Sequence, residues 1–114
     1  MENEILIIVV ILLFLLYSFA QQVNVIYFTG ECRVAKHVDD IIETMNKTLP
    51  LNLTVYRIDS NSSEVKYLRQ KYKIYGVPFI IINGKPLKGR YTENNIRKKI
   101  CKEFFIPPKG CDQK

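Results

Sequence analysis

The sequence has no tryptophan, one histidine (His37) and three cysteines (Cys32, Cys101 and Cys111) in 114 residues. With a single imidazole and no two cysteines at close ligand spacing, a metal centre is not expected. No internal repeat occurs, and no linker is long enough to divide the chain, so it holds one small domain. Charge is missing over an unusual stretch: after Glu4 none appears until Glu31.

Part of that gap is the run Ile5–Ala20, sixteen residues without a charge. A domain of this size has no core deep enough to hide such a helix on every side, so the run must meet lipid or a translocation channel. Two readings stand. Ser18-Phe19-Ala20 offers the small residues of a signal-peptidase site, whereas extension through Gln22 gives a segment that could just span a thinned bilayer. The preceding residues are acidic (Glu2, Glu4), where a signal peptide normally carries Lys or Arg. Residues 1–20 are therefore expected to be a membrane anchor or a signal peptide, 21–106 a folded domain and 107–114 a C-terminal tail.

Orientation draws on opposing cues. The first basic residues, Arg33 and Lys36, follow the run, which by the positive-inside rule favours a cytoplasmic domain. The cleavage-like motif, the spare cysteines and three Asn-x-Ser/Thr sequons at Asn46, Asn52 and Asn61 favour the outside, the location expected here. With Glu2 and Glu4 set aside, 17 basic residues face nine acidic ones, a balance of +8. The basic residues are scattered apart from Arg97-Lys98-Lys99 on a helix, which reads as a solvated face and not as a nucleic-acid site.

Beyond Gln21, strand and helix patterns alternate. Val23–Phe28 is β-branched and aromatic, like a buried strand, and Gly30 ends it. Val34, Val38, Ile41, Ile42 and Met45 form a helical stripe that stops before Pro50. Leu51–Ile58 alternates as a second strand. Asp59–Ser63 is a capping stretch, followed by a stripe of Val65, Leu68 and Tyr72. Phe79–Ile82, Asn83-Gly84 and Lys85–Lys88 read as a hairpin. Thr92 caps a last helix with Ile96, Ile100 and Phe104 on one face. The order β-α-β-α-β-β-α requires a mixed sheet with helices on both faces.

That order, with Gly76-Val77-Pro78 ahead of the hairpin, resembles the thioredoxin superfamily, particularly its small thioredoxin- and glutaredoxin-like members. The stretch Lys71-Tyr-Lys-Ile-Tyr-Gly-Val-Pro-Phe-Ile-Ile-Ile-Asn-Gly-Lys85 is similar to the family's helix end, cis-proline and hairpin. Val25-Ile-Tyr-Phe-Thr-Gly-Glu-Cys32 looks like its strand and active-site loop. The resemblance, over about residues 22–106, implies a three-layer α/β/α sandwich preceded here by the apolar helix. It also implies a nucleophile at Cys32 and a cis Val77–Pro78 bend whose backbone binds an extended client, making Val77 and Pro78 the expected substrate-binding residues.

The chemistry at Cys32 follows from position as well. A cysteine at the first turn of a helix meets unsatisfied backbone N–H groups and the positive helix end, which favour a thiolate. Arg33, Lys36 and His37 add positive charge, opposed by Glu31. A small buried cysteine at a helix start is the plainer alternative. The family's usual Cys-x-x-Cys is here Cys32-Arg33-Val34-Ala35, or, in the other register, Thr29-Gly30-Glu31-Cys32; the helix phase after Ala35 favours the first. A lone thiol cannot release its partner internally and waits for an outside thiol. The family's buried Asp on the first strand is missing from Val25–Phe28, and so is a Trp before the cysteine. The Lys88–Thr92 loop lacks the paired Gly and acidic residues with which glutaredoxins hold glutathione.

Cys101, about nine residues along the last helix, is a poor resolving partner for Cys32. After Pro107-Pro108 the chain can fold back, so Cys101 and Cys111 are expected to form a structural disulfide that leaves Cys32 free. Two functions remain: single-thiol disulfide exchange on cysteine-containing client proteins or peptides, or a redox-inert module that keeps only the peptide groove. No resident cofactor is expected, glutathione or another small thiol acting as co-substrate.

Overall fold

The computed structural model describes residues 2–20 and 22–112. Helix α1, Glu2–Ala20, is followed by strand β1 (Val23–Thr29), helix α2 (Arg33–Thr48) and strand β2 (Leu51–Arg57). Helix α3 (Ser63–Tyr72), strands β3 (Phe79–Ile82) and β4 (Lys85–Pro86) and helix α4 (Glu93–Cys101) complete the domain. A short 3-10 turn, Lys109–Asp112, follows. The boundary expected at residue 21 and the last two residues of the expected tail lie outside the described residues.

In α1 every residue from Ile5 to Leu16 is a large hydrophobic side chain exposed to solvent. Glu2 and Glu4 occupy its first turn. The sixteen uncharged residues after Glu4 rise about 24 Å at 1.5 Å each, short of a hydrocarbon core about 30 Å thick. The expectation of a spanning anchor is not met: among the described residues no helix is long and apolar enough to cross a membrane.

The sheet order is β2-β1-β3-β4, with β1 parallel to β2 and antiparallel to β3. A strand's period of two sends alternate side chains of β1 to opposite faces. Val23, Val25 and Tyr27 join Val38, Ile42 and Met45 of α2 and Ile96 and Ile100 of α4 in one core. Phe28 and Ile81 meet Val65 and Leu68 of α3 on the other face. The result is three layers: α2 and α4, the sheet, and α3.

Local chemistry sets the element ends. Ser62 and Thr92 accept N–H bonds from Val65 and Asn95 at the starts of α3 and α4. Asn83 and Gly84 take positive φ, 47° and 78°, as a tight hairpin turn requires. Three expectations are corrected. Val34 is 60% exposed, so the inward stripe of α2 begins one residue later, at Ala35. Helix α4 ends at Cys101, and Phe104 reaches the core from the turn after it, where Glu103 and Phe104 donate N–H bonds to Ile100 and Cys101. Arg97 is buried and pairs with Glu93 at 3.1 Å, so it is not part of a solvated basic face.

Cys101 and Cys111 are disulfide-bonded, and both pack against the larger core. A Cβ at Gly110 would lie 2.6 Å from the Thr48 carbonyl oxygen, so only glycine lets the 3-10 turn approach the end of α2 this closely. The segment expected as a tail is docked there.

Candidate active site

The site forms where β1 ends, α2 begins and the chain turns into β3. Phe28 pairs with Phe79 across the antiparallel ladder. Two further residues along each strand bring Gly30 against Val77. A Cβ at Gly30 would meet Val77 Cγ2 at 2.8 Å and Ile58 Cγ2 at 3.3 Å. Both neighbours are β-branched and stiff, so glycine is what lets the loop lie on the Val77 segment. The Val77–Pro78 bond is cis.

Cys32 is the N-cap of α2, in extended conformation. Its sulfur accepts the Ala35 N–H at 3.3 Å and donates as a thiol to the Val77 carbonyl at 3.8 Å. It is half-buried and the free cysteine of the described chain. A sulfur that accepts a first-turn N–H occupies the place of a capping oxygen, where negative charge is favoured by the helix end.

The structure thus brings Cys32 and Val77 together beside Pro78. It does not join Arg33, Lys36 or His37 to the sulfur: all three are exposed, Arg33 and Lys36 on the first turn of α2 and His37 just after it. No hydrogen bond or ion pair links them to Cys32 among the described residues. Glu31 pairs with Arg57 of β2 at 2.8 Å, and Arg57 also reaches Asp59 at 3.2 Å. Cys101 and Cys111 are bonded to each other and supply no second thiol. Among the described residues no group of three or more His, Cys, Asp or Glu is arranged to hold a metal ion.

Beneath the first turn of α2 lies a polar cluster that sequence reasoning missed. The Tyr27 hydroxyl lies 2.6 Å from Asp39 Oδ1 and 2.9 Å from the Ala35 carbonyl oxygen, and shares its one proton between these two acceptors. Thr29 Oγ1 donates to the same Asp39 oxygen at 2.7 Å. Burial, reinforced by the bond to Asp39, holds the Tyr27 phenol well above the ordinary tyrosine range, so it stays a donor. The strand carries no carboxylate, but α2 brings one to its face. One signal was available: Asp39 lies four residues after Ala35 and three before Ile42, so it falls on the inward stripe of the helix.

No protein-family profile matches the chain, and no curated protein sequence matches it. Solved structures do. One described as a malarial protein matches over 75% of this chain and its own full length, at 20% identity and a TM-score of 0.57. The oxidised thioredoxin of Plasmodium falciparum matches over 74% of this chain and 83% of its own, at 17% identity and a TM-score of 0.53. Thioredoxin from Wuchereria bancrofti matches over 60% of this chain and 67% of its own, at 17% identity and a TM-score of 0.51. At these identities the likeness speaks for architecture, and it agrees with the layer order and sheet topology above: the fold of this chain is thioredoxin-like.

Proposed function

We propose that the chain is a single-thiol disulfide-exchange protein acting through Cys32. One observation carries the reading: a free, half-buried sulfur that caps a helix and touches the Val77 carbonyl. The Cys32 thiolate attacks one sulfur of a client disulfide; a new S–S bond forms, the old one breaks, and the departing thiolate takes a proton from solvent. Position 35 is alanine, so the mixed disulfide persists until an outside thiol, glutathione or a similar small thiol, attacks it and restores Cys32. An extended client pairs with the backbone at Val77 while its sulfur is presented to Cys32. Arg33, Lys36 and His37 act at a distance, as screened surface charge.

The proposed setting is outside the cytoplasm. The Cys101–Cys111 disulfide supports it, as do the exposed sequon residues Asn46, Asn52 and Asn61. Residues 5–20 fit an export signal better than a full span, given their length, and serve as the membrane-contacting segment of the chain. Ala35 in place of a second thiol favours one other reading, a redox-inert module that keeps the groove at Val77 and Pro78.

Alkylation separates the two. The purified chain is treated with iodoacetamide at several pH values, and the modified residue is mapped by mass. The exchange reading expects Cys32 to react several-fold faster below about pH 8 than a cysteine in an unstructured peptide. Equal rates leave only the binding module.

A further inference from the structure

The mechanism above uses the Ala35 N–H and leaves unexplained what holds Ala35. A first-turn residue has few intrahelical bonds on its N-terminal side, and helix ends fray. The Ala35 methyl is fully buried, but packing of a methyl is non-directional and does not by itself aim the N–H. The N–H to sulfur contact, 3.3 Å long and made to a weak acceptor, is a poor anchor by itself.

The polar cluster supplies the missing support. The period of two in β1 sends Tyr27 and Thr29 to the same face, under α2. Tyr27 is 1% exposed, its ring fixed in the larger core. Its hydroxyl spans the Ala35 carbonyl and Asp39 Oδ1, at 2.9 and 2.6 Å. Thr29 holds the same carboxylate oxygen at 2.7 Å. A continuous path therefore runs from the sulfur through the Ala35 backbone to Tyr27, Asp39 and Thr29. Phe, Leu and Val at these three positions would fill the space without desolvating a carboxylate, so packing alone does not account for the polar set.

We infer that Tyr27, its ring fixed in the core, is a positioning residue for Cys32: its hydroxyl holds the Ala35 carbonyl so that the Ala35 N–H stays aimed at the sulfur and stabilises the thiolate. The inference rests on the exchange reading and deepens it. The other charged groups around the sulfur are Arg33, Lys36 and His37 on its own helix. Glu31 precedes it and is paired with Arg57 of β2. The Val77–Pro78 segment brings no titratable side chain. Removing the Tyr27 hydroxyl leaves all of these in place.

The test measures Cys32 alkylation across pH in the full chain and in Tyr27→Phe. Loss of the clamp is expected to slow the reaction at pH 6.5 by about three- to tenfold, the range a net hydrogen bond covers. The two rates should converge above about pH 9.5, where a thiol is ionised without help. Asp39→Asn keeps an acceptor for Tyr27 and should retain most of the wild-type rate. A merely structural Tyr27 would lower the melting temperature and leave the ratio of rates at the two pH values unchanged, which overturns the inference. If Tyr27→Phe does not fold, Asp39→Leu carries the readout with the opposite sign. The single phenol proton then goes wholly to the Ala35 carbonyl, so the rate at pH 6.5 should hold or rise, and a fall there overturns the inference. Should the wild-type chain itself react no faster than an unstructured peptide, the exchange reading fails and this inference with it. That outcome is distinguishable because it needs no variant.

Discussion

Cys32 has two duties at one atom, capping α2 and presenting a nucleophile, and substitutions separate them. In Cys32→Ser a hydroxyl replaces the sulfur as acceptor for the Ala35 N–H. That variant should lose exchange activity completely while unfolding within about 0.5 kcal/mol of wild type, because serine is a good N-cap. Cys32→Ala should lose the same activity and about 1 kcal/mol of stability as well. Chemical denaturation of the two variants reads the difference. Gly30 makes the complementary case. Its missing Cβ leaves room for Val77, and Gly30→Ala forces the loop off the Val77 segment. We expect a cost of about 1–3 kcal/mol, the range for overpacking a close contact, well beyond that of Gly76→Ala, which adds a Cβ next to Val77 but with nothing within 4 Å of it, and with it a fall in the rate of mixed-disulfide formation.

Among the elements, the disulfide and the 3-10 turn act together to hold the C-terminal segment on the ends of α4 and α2. Closing a loop across a separation of ten residues constrains the unfolded chain, worth about 2–3 kcal/mol in the loop-entropy picture. A Cys101→Ser, Cys111→Ser chain should lose stability of that order in urea titration while Cys32 alkylates at the wild-type rate, since the bridge is not part of the site. The elements themselves were largely legible in the sequence. Gly30, Pro50 and Asn83-Gly84 mark breaks that survive in the structure, and Ser62 and Thr92 cap as their side chains allow. The misreadings have local causes. Val34 looked like core because helical spacing alone cannot say where a stripe begins, and Phe104 continued the spacing although its helix had ended. The Cys32–Val77 meeting was legible only through resemblance. The Tyr27–Asp39–Thr29 cluster was not, because a single Asp on an otherwise apolar stripe looks like a solvated residue until the strand beneath it is placed.

For the whole molecule, three phenols tie stability to alkaline pH. Tyr27 is held above the ordinary tyrosine value of about 10 by burial and by Asp39. Tyr91 shifts the same way, mainly through burial, and Tyr56 through its bond to Glu64. A raised folded-state value means that the folded chain keeps a proton which the unfolded chain has lost. This contribution is complete below about pH 10 and is lost as pH rises beyond it. Unfolding free energy should therefore decline above that pH, and Tyr27→Phe should flatten the decline; a curve unchanged by that substitution would contradict the assignment. The central claim, that one sulfur reacts and an outside thiol finishes the reaction, has its most direct test in quenched mass spectrometry. The purified chain is mixed with a peptide–glutathione mixed disulfide at several concentrations of free thiol. The account predicts a covalent adduct on Cys32 whose breakdown rate rises in proportion to added thiol. No adduct, or one that decays at the same rate whatever the thiol concentration, would contradict it.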